Sequence, residues 1–107
     1  MISTTTKNAM LGALTITHVN LHSADPGADG LTGEIDVPRG VVAFGSPING
    51  RIILVGDVSI LIGEPTIITH VSYWNESVFV LSQEIASQVI TEPSNFVLRA
   101  NTTYIEI

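Results

Sequence analysis

Three histidines have the clearest potential for metal binding in this 107-residue chain. His18 and His22 share one face of a predicted strand, and His70 lies at the matching place in a later segment, because the tetrapeptide of residues 16–19 recurs at 68–71. Imidazole is a common zinc ligand. However, residues i and i+4 of a strand lie about 13 Å apart, too far to bind one ion together. The sequence therefore predicts no metal and no cofactor, with a site built from His18 and His70 as an alternative.

Acidic residues are concentrated in the acidic loop, residues 22–36, which contains Asp25, Asp29, Glu34 and Asp36. Such oxygen ligands suit calcium, but the alternating Asp/Asn pattern and the terminal bidentate glutamate of calcium loops are missing. The many glycine, proline and aspartate residues instead indicate a series of turns. Because long loops are often functional, we expect this loop to attach the chain to a partner. Its candidate contact residues are His22, Asp25, Pro26, Gly27, Asp29 and Glu34.

Tyr73 and Trp74 are adjacent aromatic residues at the end of a predicted strand. They could stack on sugar rings, so a carbohydrate-binding β-sandwich module is the alternative function. Aromatic residues near a hairpin more often anchor a core or an interface, and the apolar residues Val78, Val80 and Leu81 across the hairpin favour a core position. No Gly-x-Ser-x-Gly motif and no phosphate-binding glycine loop is present, so we expect no enzymatic activity.

The spacing of turn residues predicts the elements that position these side chains. A helix is expected over residues 3–13, where hydroxyl residues provide the N-cap. From residue 15 the hydrophobic period changes to two, and short strands follow at roughly the 8–12-residue spacing typical of sandwiches and barrels. The connections are too short for crossover helices, so the strands must be antiparallel. The sequence thus predicts a mainly β fold in a single domain, residues 1–107: an antiparallel β-sandwich or small barrel of about eight short strands with one short N-terminal helix.

The predicted strands are bounded by glycine, proline and asparagine residues. They comprise residues 15–22, 41–44, 51–55, 58–62, 66–74, 77–83, 87–91, 96–100 and 103–107. Asn49-Gly50 is predicted to form a tight turn. An internal duplication would place the repeated tetrapeptides, residues 16–19 and 68–71, in equivalent strands of two sheets. The chance composition of strands explains the repeat equally well.

The composition is poor in charge and rich in apolar residues. Charged residues make up 13% of the chain, against about 25% in ordinary domains. Ten carboxylates and four lysines and arginines give a formal net charge of -6, so we expect no binding to nucleic acid, which requires clustered cations. No signal peptide and no run of about 20 apolar residues is present, so we expect no membrane association. Much of the surface must be neutral or apolar, which favours a homo-oligomer.

Residues 18–27, HVNLHSADPG, resemble a motif of small tailed-phage virion proteins, in which a strand similar to ASLHTADPG precedes the segment TGANEV. Residues 21–27 match this motif with serine in place of threonine, and residues 30–35 resemble a shortened form of the next segment. Other similar parts are residues 8–12, which correspond to a helix of the ALLNGLLG kind, Arg39, which corresponds to a tyrosine-arginine region, and residues 69–75, which resemble THVGLWD.

The resemblance implies a non-enzymatic structural protein of a tailed bacteriophage virion, assembled in the host cytoplasm. The expected partners are phage capsid or tail proteins and other copies of the chain. We expect the contacts to be made by the acidic loop and by apolar strand faces near Ile60 and Ile62. Such a protein is either a capsid decoration or cement protein, or a component of the tail or fibre base.

Overall fold

Residues 2–106, which a computed structural model describes, form one helix and eight strands. The helix is α1 (Thr4–Gly12), and the strands are β1 (His18–His22), β2 (Gly40–Val41), β3 (Arg51–Ile53), β4 (Val58–Ile62), β5 (Thr66–Asn75), β6 (Val78–Ile90), β7 (Ser94–Leu98) and β8 (Tyr104–Glu106). Every strand pair is antiparallel. The predicted mainly β, antiparallel fold with one short N-terminal helix is confirmed.

Helix α1 begins at a side-chain N-cap and is attached to the rest of the fold at two positions. The Ser3 hydroxyl accepts the backbone N–H of Thr6 at 3.2 Å, as an N-cap should. Leu11 is the buried residue that anchors the helix to the core. A second anchor is polar, because Asn8 Oδ1 accepts the backbone N–H of Gly50 at 2.9 Å. The helix therefore also holds the tight turn that precedes β3.

The largest sheet contains four strands in the order β2-β1-β5-β6. In this sheet β1 and β5 are neighbours, with His18 opposite Trp74 and His22 opposite His70. Residues 18–19 of the first repeated tetrapeptide and residues 68–71 of the second therefore lie on adjacent antiparallel strands of one sheet. The placement in equivalent strands of two sheets that an internal duplication would give is not observed, because β1 and β5 belong to the same sheet.

Two strand pairs, β3–β8 and β4–β7, complete the fold around one hydrophobic core. In β4, Ile60 and Ile62 are buried in this core, whereas Leu61 between them is exposed. An attachment face that uses Ile60 and Ile62 is therefore wrong, since both side chains already pack inside the domain. The core receives residues from the helix and from all three sheets, among them Leu11, Val19, Leu21, Ile52, Ile60, Val71, Tyr73, Leu98 and Ile105.

Strand bounds differ from the prediction at several places. β1 begins at His18 and not at residue 15, and β7 covers Ser94–Leu98 and not 96–100. The predicted strand 103–107 ends outside the described residues, within which it appears as β8. The predicted strands 77–83 and 87–91 are one continuous strand, β6, because irregularities in its pairing with β5 let it continue past the polar residues near Glu84. The predicted strands 41–44 and 51–55 are shorter than expected. Beyond β2 and β3, only an isolated bridge between Phe44 and Leu54 remains.

Candidate functional site

Strand β1 is buried on both of its faces. Val19 and Leu21 point into the core, and Asn20 and His22 point to the opposite side of the sheet, yet all four are at most 1% exposed. Ser72 and Trp74 of β5 lie on the same opposite side, because Asn20 pairs with Ser72. We call this side, with Asn20, His22, Ser72 and Trp74, the covered face. Residues 23–39 supply its cover.

The cover is attached to the end of β1 by main-chain hydrogen bonds. The backbone N–H of Ser23 donates to the Gly33 carbonyl, and the backbone N–H of Ile35 donates to the Leu21 carbonyl, each at 3.0 Å. Glu34 forms an isolated β-bridge with His22. The acidic loop thus returns to the strand from which it starts.

His22 is hydrogen-bonded through both ring nitrogens. Its Nδ1 lies 2.8 Å from the Thr32 carbonyl oxygen, which can only accept, so Nδ1 must carry a proton. Its Nε2 lies 2.7 Å from Ser72 Oγ, which also accepts the indole N–H of Trp74 at 2.8 Å. A neutral imidazole satisfies this arrangement, because the Ser72 hydroxyl can then donate to Nε2. Neither nitrogen of His22 is free to bind a metal ion.

Glu34 and Arg39 form an ion pair beside Asn20. Arg39 donates from Nε to Glu34 Oε2 at 2.8 Å and from a terminal nitrogen to Oε1 at 3.2 Å, and Asn20 Nδ2 donates to Oε2 at 2.9 Å. Burial acts to raise the pKa of Glu34. The hydrogen bonds from Arg39 and Asn20, together with the charge of Arg39, outweigh it and hold this pKa below its ordinary value.

Trp74 is enclosed by the cover on one face and by Phe79 at its edge. The Arg39 guanidinium carbon lies 3.4 Å from the centre of the indole ring, a cation–π contact. The Phe79 ring is 5.4 Å away in an edge-to-face arrangement. Phe79 in turn packs on Gly30, where a Cβ atom would lie 2.3 Å from the Phe79 ring and where φ is +76°. Only glycine fits that position without strain.

Two aspartates accept backbone hydrogen bonds that shape the acidic loop. Asp25 Oδ1 accepts the backbone N–H of Gly27, and Asp29 Oδ1 accepts that of Leu31, each at 3.0 Å. Both contacts are Asx turns, which explain the spacing of aspartate and glycine in this segment. The predicted series of turns is confirmed.

The predicted contact residues fall into two groups. Asp25, Gly27 and Asp29 are exposed and can meet a partner, and Glu34 is half-buried in its ion pair. The other four are buried within the domain: His22, Pro26, Tyr73 and Trp74. The predicted surface contacts of His22 and Pro26 are wrong, because the domain itself covers both side chains. Tyr73 and Trp74 are buried, as the apolar residues across the hairpin favoured.

The aromatic pair does not form an open platform. Tyr73 points into the core, where its ring lies 5.7 Å from Phe44 and its hydroxyl donates to Gln83 Oε1 at 2.9 Å. Burial raises the pKa of this phenol well above its ordinary value. Trp74 is covered by Arg39. Neither ring offers the free face that stacking on a sugar requires.

The histidine alternative is also contradicted by the pairing register. His18 lies opposite Trp74 and His70 lies opposite His22, so His18 and His70 are four rows apart, roughly 13 Å along the sheet. Each of the two instead contacts the preceding threonine hydroxyl. Within residues 2–106, no group of three or more histidine, aspartate or glutamate side chains is placed to hold a metal ion. Over the same residues, no helix is long and apolar enough to cross a membrane.

Sequence reasoning missed the partners that complete the covered face. Asn20, Ser72 and Arg39 supply most of its hydrogen bonds, and Gly30 makes room for Phe79. One available signal was the alternation of polar residues on β1 directly before a long loop with few apolar residues of its own.

No family model, curated protein or solved structure matches the chain.

Proposed function

We propose that this chain is a non-enzymatic structural protein of a tailed bacteriophage virion. One observation carries the proposal: the residues that resemble the phage motif form the internal framework of the covered face. Residues 21–27 form the end of β1 and the start of the acidic loop. Arg39 binds Glu34 of this loop and contacts the ring of Trp74 on β5. Residues arranged in this way hold the acidic loop in a defined conformation. His22 bonds to Ser72 and to the loop backbone, and the Glu34 carboxylate accepts hydrogen bonds from Asn20 and Arg39. These contacts support a structural function for both side chains.

The exposed part of the acidic loop is the proposed attachment surface. Asp25 and Asp29 are exposed there, and Leu31 at the end of the second Asx turn is 55% exposed although it is apolar. The Asx turns and the bonds to β1 hold this surface in one conformation. Because a preorganised loop loses little conformational entropy on binding, it suits a permanent contact in a particle.

The test is the composition of purified particles. Phage particles from a lysate of the host that carries this gene should contain the chain, detected by mass spectrometry, and purified chain should bind shells or tails assembled without it. Hundreds of copies per particle would place it on the capsid, and a few or tens would place it in the tail. Absence from purified particles together with no binding to shells or tails would refute the proposal.

Leu31→Asp sharpens this test, because it places a charge on the proposed attachment surface without touching the covered face. We expect it to reduce binding to particles by about tenfold or more, since a desolvated charge at an interface is costly. Ile48→Asp is the matched control, because Ile48 is 61% exposed in a turn before β3. It should bind as the wild-type chain does. If both variants bind particles equally well, the exposed part of the acidic loop is not part of the contact with the particle.

A further inference from the structure

Strand β7 has one paired edge and one free edge. It pairs with β4 in unbroken register, from Ser94 opposite Ile62 to Leu98 opposite Val58. Among residues 2–106, no strand lies on its other side and no backbone hydrogen bond reaches it from there. The backbone N–H and C=O groups of this edge are available to another strand.

A groove of about 850 Å³ runs beside the free edge, between β7 and the second half of β6. These two strands follow each other in the chain with only residues 91–93 between them, yet they do not pair. Ile85, Ile90 and Phe96 line the groove and form a partly buried margin of the core. A strand placed in the groove would cover these apolar side chains and satisfy the free backbone groups.

The residues that flank β7 carry opposite charges. Glu92 lies just before the strand, Arg99 directly follows it, and the strand itself, SNFVL, is uncharged. Arg99 is 69% exposed and meets Asp57 only at 3.6 Å, so its guanidinium can reach a further carboxylate. Two antiparallel copies of this strand attract each other, because the Glu92 end of each meets the Arg99 end of the other.

We propose that β7 pairs antiparallel with β7 of a second copy of this chain, about a two-fold axis close to Phe96. In this register Ser94 lies opposite Leu98 of the second copy, and Arg99 lies within one residue of Glu92 of the second copy. The two β4–β7 pairs become one four-stranded antiparallel sheet across a self-complementary interface. This inference specifies the contact between neighbouring copies in the proposed function and rests on that function.

Charge reversal and charge exchange test the pairing. Sedimentation equilibrium over a concentration series should show a dimer of the wild-type chain. Glu92→Arg and Arg99→Glu should each raise the dimer Kd by about tenfold, because two attractive contacts become repulsive. The double variant, which exchanges the charges, should return to within about threefold of the wild-type Kd. Glu64→Arg makes the same charge change in an exposed turn before β5 and should leave the Kd unchanged.

Two further measurements show whether the changes in the dimer Kd arise at the free edge of β7. Thermal unfolding should show that all four variants are folded at the temperature of sedimentation. Amide hydrogen exchange of residues 94–98 should slow as the wild-type concentration rises through the Kd, and should not slow in Glu92→Arg. A wild-type chain that is monomeric throughout, single variants that dimerise normally, or a double variant that stays dissociated would each overturn the proposal.

The experiment separates this inference from the proposed function. It uses the purified chain alone, so a charge-dependent dimer of a chain that is absent from purified particles and does not bind shells or tails would refute the virion function and retain the interface. A chain found in particles but monomeric in solution would refute the interface and retain the virion function.

Discussion

The covered face and the free edge of β7 lie in one small domain but differ in how they satisfy polar groups. On the covered face, Asn20, His22 and Trp74 are buried, and each bonds to a side chain or to the loop backbone. Along the free edge of β7, backbone groups lack a partner strand and Phe96 is only half-buried. The loop thus completes the fold of the chain itself, whereas the edge of β7 is where we propose that a second copy pairs.

The largest expected effect concerns Trp74, which connects the sheet to its cover. Trp74→Ala removes a side chain that is 2% exposed, the cation–π contact with Arg39 and the edge contact with Phe79. We expect a loss of about 3–5 kcal/mol in the free energy of unfolding. Urea denaturation followed by far-UV circular dichroism measures it, because the variant lacks the only tryptophan of the chain.

The comparison variant at an exposed position of β6, the strand that borders the groove, is Val89→Ala. Val89 is 67% exposed in β6, so its truncation should change the free energy of unfolding by less than about 0.5 kcal/mol. Comparable losses in the two variants would mean that the covered face is no more important to stability than the exposed margin. The contrast between the two regions would then be wrong.

A smaller effect is expected at Gly30, where the loop must pass close to Phe79. Gly30→Ala introduces a Cβ atom 2.3 Å from the ring and forces alanine into a positive φ. We expect a loss of about 2–3 kcal/mol, measured by urea denaturation. The control is Gly56→Ala, since no atom lies within 4 Å of its added Cβ. If Gly30→Ala is as stable as this control, the loop does not pack on Phe79 in solution.

The sequence was sufficient to predict the fold class, because turn residues act locally. Asn49 and Gly50 both have positive φ, as the tight turn predicted from this pair requires. The continuous strand β6 could not be predicted, because a bulge opposite Ile68 and His70 lets the strand pass through residues that look like a break. Local patterns carry no information on how two distant strands accommodate such an irregularity.

The covered face was also beyond prediction, although two of its residues, His22 and Trp74, were candidates in the sequence. Alternating polar residues such as Asn20 and His22 indicate a solvent-facing side of a strand. They are buried only because residues 23–39 fold back over them, with the ion pair between Arg39 and Glu34 stabilising the last part of that cover. Whether a polar side chain meets water or a loop is decided by tertiary contacts, which one sequence does not show.

The smallest expected effect is the acid sensitivity that Glu34 gives to the covered face. Hydrogen bonds from Arg39 and Asn20 hold its folded-state pKa below the ordinary value of 4.5. A carboxyl with a lowered pKa in the folded state adds stability above its unfolded pKa, and this stability is lost as the pH falls through the folded pKa. Glu34→Gln should therefore lose about 1 kcal/mol at pH 7 and show a flatter decline of stability below about pH 4.5.

The second arginine–carboxylate pair of the chain provides the control for Glu34. Glu106 pairs with Arg51, but both side chains are at least 40% exposed, against 24% and 20% for Arg39 and Glu34. Exposed pairs contribute little, so Glu106→Gln should change stability by less than about 0.5 kcal/mol and keep the wild-type acid profile. Urea denaturation at pH 7, 5, 4 and 3 compares the three proteins. If Glu34→Gln keeps the wild-type profile, the carboxylate is not held by its partners, and the loop is attached to the sheet by its main-chain bonds to β1 and by the contacts of His22 and Trp74.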